Sequence, residues 1–109
     1  MKFEIGKNKL EGVIFKYLDN KNFIIKETPE NYYFIENEED KYAQIMVTKY
    51  DMLCLINRKL VEEIELFFSI ETHIASNVLT KYVENTLNIK VSYTLALNAI
   101  KNGRLRIPN

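Results

Sequence analysis

Thr48 to Asn88, TKYDMLCLINRKLVEEIELFFSIETHIASNVLTKYVENTLN, is the stretch whose reading decides the fold. It opens with Thr48-Lys49-Tyr50-Asp51, the form of a capping box, in which a hydroxyl accepts from an orphan amide and an acid three residues on reaches back. Leu53, Ile56, Leu60, Ile64 and Phe67 follow at steps of three and four, one face of a helix. Ser69 gives a second start signal, with Glu71 placed in a first turn where negative charge suits the helix dipole. Ile70, Ile74, Val78 and Tyr82 form the next stripe, widened by Leu79 and Val83, and Asn88 suits a helix end. The spacing predicts two helices in succession.

Upstream the pattern changes to alternation. Phe3 and Ile5 share one side of a short strand over Met1 to Ile5, and Gly6-Lys7-Asn8 is a turn. Val13 to Leu18 is expected as a strand, Asp19 to Asn22 as a turn, and Phe23 to Glu27 as the returning arm of a hairpin. Pro29 ends that arm because proline cannot donate to a ladder. Tyr32 to Glu36 and Tyr42 to Thr48 alternate again, separated by the acidic turn Asn37 to Asp40. Downstream of Asn88, Ser92 is expected to cap a compact helix through Leu95, Ala96, Ala99 and Ile100, closed by Gly103. Arg104 to Ile107 then alternates like a last strand. The expected fold class is α+β, with an antiparallel sheet of four or five short strands followed by two main helices and a small C-terminal helix. One domain is expected over residues 1–109, strand-rich to residue 48 and helix-rich from residue 49.

Composition narrows the chemistry. Cys54 is the single cysteine and lies in an apolar run, which reads as a small buried hydrophobe in a reducing compartment. His73 is the single histidine, near a helix start, without a Cys/His cluster of metal spacing around it. Glu62, Glu63 and Glu65 read as a solvated helix face, and three glycines in all leave no phosphate-cradling loop. No catalytic residue, metal site or cofactor is assigned, and the expectation is a non-enzyme. No leader and no apolar run of membrane length is visible, so a soluble, cytoplasmic protein without membrane contact is expected. Net charge is zero, yet it is segregated: residues 1–26 carry six lysines against three acids, residues 27–80 four cations against eleven acids, and residues 81–109 five cations against one acid. Basic ends around an acidic middle point toward an anionic partner.

Phe3-Glu4-Ile5-Gly6-Lys7, Ile24-Ile25-Lys26-Glu27 and Ile45-Met46-Val47-Thr48, with Met52 and Leu55 following, resemble the strands and helix start of the positive-cofactor-four family of single-stranded-DNA-binding coactivators. The resemblance spans residues 3–67. It implies four strands and a helix that pairs two chains, with Lys16 and Lys26 as cations for phosphates and Tyr33 and Tyr42 as rings for base stacking. The family's basic glycine loop is replaced here by Glu38-Glu39-Asp40-Lys41. Residues 79–107 resemble the winged helix-turn-helix of transposases and excisionases. That resemblance implies a recognition helix from Ser92, with Thr94, Asn98 and Lys101 on its exposed face, and a basic wing of Arg104 and Arg106.

The resulting expectation is a non-enzymatic nucleic-acid-binding protein acting on single-stranded or regulatory DNA. The alternative is a small adaptor or inhibitor that binds a protein through Tyr50, Phe67 and Phe68 or through the acidic stretch Glu36 to Asp40. A homodimer is expected, because Met52, Leu55, Leu66 and Phe68 lie beyond one helix stripe.

Overall fold

A computed structural model of the chain describes residues 5–108. In order, the elements are α1 (Ile5–Asp19), β1 (Ile24–Glu27), β2 (Asn31–Ile35), β3 (Ile45–Thr48), β4 (Leu53–Asn57), α2 (Arg58–Phe68), α3 (Thr72–Leu87), β5 (Tyr93–Leu97) and α4 (Ala99–Asn102). The five strands form one sheet in the order β1-β2-β3-β4-β5. The first three pairings are antiparallel, and β5 returns parallel to β4. A parallel return needs a long crossover, which α2 and α3 supply. The class is α+β, as the alternation followed by helical spacing predicts.

Three segments depart from the expected elements. The strand expected at Val13 to Leu18 is part of α1. Leu10, Ile14 and Leu18 recur at steps of four, and Ile14 and Leu18 are fully buried against the helix-face core. Of the strand expected over Met1 to Ile5, residues 1–4 lie outside the described residues, and Ile5 begins α1.

The helix expected from Thr48 begins ten residues later, because Leu53–Asn57 is β4. Its Cys54 and Ile56 face the helices while Leu55 faces the opposite side, and all three are fully buried. A strand covered on both faces reads as an unbroken apolar run rather than an alternation. The residues of the expected capping box make the β3–β4 turn instead. The Thr48 hydroxyl bonds the Asp51 carboxylate and accepts from the Leu53 amide at 3.1 Å, and Met52 takes a φ of 55°. Asn57 is the true cap of α2, its side-chain oxygen accepting from the Lys59 amide at 3.1 Å. Ser69 ends α2 in the left-handed region rather than starting α3, and Glu71 is the N-cap of α3. Asn88 closes α3 in the left-handed region, as expected of it.

The third departure is C-terminal. The helix expected from Ser92 is strand β5 followed by the four-residue α4. Ser92 tethers the strand: its hydroxyl donates to the carbonyls of Asp51 at 2.6 Å and Met52 at 3.0 Å. Gly103 does end α4, at φ 79°, where a Cβ is unfavourable. The last expected strand is reduced to a bridge between Tyr42 and Arg106, flanked by the Ala43 amide on the Leu105 carbonyl and the Ile107 amide on the Lys41 carbonyl, both at 2.8 Å.

The central strands β2, β3 and β4 are buried on both faces. Phe34, Ile45, Val47, Cys54 and Ile56 meet α1, α2 and α3 on one face. Tyr33, Ile35, Met46 and Leu55 meet Ala99 and Leu105 on the other, so the segment after β5 folds back as a cover. Among the described residues no helix is long and apolar enough to cross a membrane.

Candidate nucleic-acid interface

Where β4 gives way to α2, the chain reads Asn57-Arg58-Lys59. Asn57 is buried and fixed at both ends of its amide: its oxygen caps α2, and its Nδ2 donates to Gln44 Oε1 at 3.2 Å. This places Arg58 and Lys59, both exposed, in the lining of a cleft of about 630 Å³. The Arg58 guanidinium donates to the Ala96 carbonyl at 3.3 Å, which leans it toward the end of β5. Asn98, Ala99, Ile100 and Lys101 line the same cleft. Asn98 caps α4 through its side-chain oxygen, which accepts from the Lys101 amide at 2.9 Å. Tyr42 and Gln44 complete the lining with Asn57 and Glu62. The cleft holds three cations, Arg58, Lys59 and Lys101, against one acid, Glu62.

Three of the residues singled out from sequence, Tyr42, Asn98 and Lys101, come together here. Arg106 stands beside them, its guanidinium 5.8 Å from the centre of the Tyr42 ring. Arg104 is exposed after α4, outside the lining. The other four residues lie apart. Lys16 is exposed on α1, and Lys26 on β1 is paired with Glu38 at 3.4 Å. Tyr33 is 4% exposed, and its hydroxyl accepts from Asn31 at 2.9 Å; its ring packs inside the second core and is not free for a base to stack on. Thr94 is on β5 rather than on a helix, its hydroxyl 2.8 Å from that of Thr80. Thr94, Asn98 and Lys101 therefore share no helix face.

Arg58 and Lys59 are the residues that sequence reasoning passes over, although a signal exists. Two cations in the first turn of a helix oppose its dipole, and no acid balances them there. A local choice that works against its own element marks a place where something other than stability sets the residues.

Other polar side chains pair across elements outside the cleft. Tyr17 on α1 donates to Glu63 on α2, and Lys21 pairs with Glu63 at 2.7 Å and Glu36 at 3.4 Å. Burial alone would lift the Glu63 carboxyl, but the bonds from Lys21 and Tyr17 outweigh it and hold it below the usual carboxylate range. Tyr17 is raised, first by its bond to Glu63 and then by burial. Burial pushes the Cys54 thiol up to about 12, so it stays protonated and inert at neutral pH. His73 is exposed, its Nδ1 3.4 Å from Glu71. Among the described residues no group of three or more His, Cys, Asp and Glu side chains could hold a metal ion. Comparison of the chain with protein-family models, curated proteins and solved structures finds no match.

Proposed function

We propose that the protein binds nucleic acid without catalysing a reaction on it, and that the sugar-phosphate backbone docks in the cleft between the start of α2 and α4. What supports this is the convergence of Arg58, Lys59 and Lys101 on one concave surface with a single acid. Cations gathered in a cleft attract a polyanion and fix its register, and side-chain amides such as those of Gln44 and Asn98 hydrogen-bond sugars and base edges. A single strand suits the site better than a duplex. Helix α4 is one turn long and cannot fill a major groove, whereas the Tyr42 ring offers a base a surface beside the cations.

The test is a salt-dependent titration against a single-stranded oligonucleotide and its duplex. Wild-type protein binds the single strand more tightly, and affinity falls linearly with the logarithm of salt concentration. Arg58→Ala with Lys101→Ala removes two phosphate contacts and flattens that slope by about 1.4. Unchanged affinity at low salt in the folded double variant defeats the proposal.

A second reading, a protein-binding adaptor, has its own observation. Leu66 and Phe67 at the end of α2 are 81% and 64% exposed, and Phe67 stacks on Tyr17 at 4.7 Å between ring centres. Val13, one turn before Tyr17 on α1, is also exposed. Exposed apolar groups clustered in this way suit a protein partner. A Leu66→Ser, Phe67→Ser variant that keeps nucleic-acid binding but loses a partner recovered with the wild type would favour this reading.

A further inference from the structure

A sheet with two ends has two edges, and this one treats them differently. Strand β1 carries Lys26 and Glu27 and is followed by Pro29, devices that discourage a further strand from adding. Strand β5, at the other end of the sheet, reads Tyr93-Thr94-Leu95-Ala96-Leu97 without a charge or a proline. The Ser92 amide donates to the Met52 carbonyl at 2.9 Å, which sets the phase of the parallel ladder. In that phase Thr94 and Ala96 turn their amides and carbonyls to β4, and Tyr93, Leu95 and Leu97 turn theirs outward. The same three residues point their side chains to the face away from the helices. Tyr93 is 62% and Leu95 36% exposed there, beyond the reach of the C-terminal cover.

We propose that two copies of the chain join edge to edge through β5, antiparallel about Leu95, so that their sheets become one. In this register Leu95 faces its own symmetry mate and Tyr93 faces the partner copy's Leu97. Each outward-facing residue then meets another, and each such pair exchanges both backbone hydrogen bonds. The side chains form one apolar row along the joint, which covers Tyr93 and Leu95.

Charge argues for a second copy rather than a foreign strand. At the start of β5 lie Asp51, whose carbonyl holds Ser92, and Glu84, whose carboxylate accepts from the Val91 amide at 2.8 Å, with Lys90 next to Val91 in the chain. Around its end stand Arg58, Lys59 and Lys101 against Glu62. An antiparallel mate sets the acidic end of each copy beside the basic end of the other. A foreign peptide would have to match both the apolar row and this inverted charge order, which the chain itself carries by symmetry. The joint shares Arg58, Lys59 and Lys101 with the nucleic-acid reading, but substitutions at Leu95 test it without touching the cleft.

Sedimentation velocity across a concentration series should show a monomer–dimer equilibrium. Leu95→Lys sets two like charges against each other at the axis and raises the dissociation constant roughly a hundredfold. Leu95→Glu does the same, and an equimolar mixture of the two variants restores the dimer. Leu95→Cys tests the geometry without adding charge. Hydrogen-bonded antiparallel partners lie about 5.5 Å apart at Cα, within reach of a disulfide, so mild oxidation links Leu95→Cys chains and leaves wild type unlinked. A wild type that stays monomeric at high micromolar concentration overturns the proposal. So does a Leu95→Lys dimer of unchanged strength, or a Leu95→Cys protein that does not cross-link.

Discussion

The two faces of the sheet are buried by different means. On one face three helices present repeated apolar stripes, and Phe34, Phe23 and Tyr82 form an aromatic centre with ring distances of 6.0 to 6.4 Å. On the other, Tyr33, Ile35, Met46 and Leu55 are covered by one helical turn, a stretch with a single bridge and one anchoring leucine, Leu105. The helical cover is stabilised by its own backbone ladder and by packing. The other cover has few backbone bonds of its own and depends on side chains seated in the sheet. A core built from regular elements and one closed by a strap should therefore respond differently to the same kind of damage.

The largest effect is expected at Phe34. Phe34→Ala removes a fully buried ring from the helix-face centre and should cost about 3–5 kcal/mol in urea denaturation, with the whole transition shifted. Leu105→Ala should cost less, about 2–3 kcal/mol, because the strap can settle into the space. Limited proteolysis should then cut within residues 98–108 while the helices stay intact. Equal losses at the two positions would erase the distinction between the faces.

A smaller effect depends on pH. Because the Glu63 carboxyl is held low in the folded protein, its stabilisation is complete above the ordinary glutamate range. It is lost as pH falls through the folded value. The Tm gap between wild type and Glu63→Gln should thus be widest near neutrality and close on acidification. A gap that widens in acid would reverse the sign of the Glu63 contribution. The smallest effect is expected at Arg104, exposed and outside the cleft, where Arg104→Ala should move stability by less than about 0.5 kcal/mol.

The faces also differ in how legible they were. The strands from Ile24 to Thr48 declare themselves because their alternation and turns have no competing helical period. Leu53–Asn57 does not, because Leu53 and Ile56 fall in step with Leu60 and Ile64 of the real helix that follows. Alternation in Val13 to Leu18 hides the step of four that joins Leu10, Ile14 and Leu18. Ser92 has the side chain of a helix cap, but its hydroxyl is engaged by carbonyls 40 and 41 residues earlier in the chain, a contact no local pattern contains. The cleft was half legible. Tyr42, Asn98 and Lys101 stand out in the sequence as parts of two different motifs, while Arg58 and Lys59 become visible only once β4 ends at Asn57.

The bridge between Tyr42 and Arg106 also has a bearing on motion. It joins residues far apart in sequence, whereas the β1–β4 hairpins join near neighbours. An isolated bridge at the exposed chain end opens more readily than a ladder buried on both sides, so amide exchange should be faster at Arg106 and Ile107 than at Val47 or Cys54. The cleft inherits that hierarchy, since Asn98 and Lys101 belong to the strap itself while Tyr42 and Gln44 do not. Lifting of the strap would disperse the cleft and leave the helix-face core in place. A strand bound across it would slow exchange at the strap by mass action, making occupancy readable at backbone amides that the strand never touches.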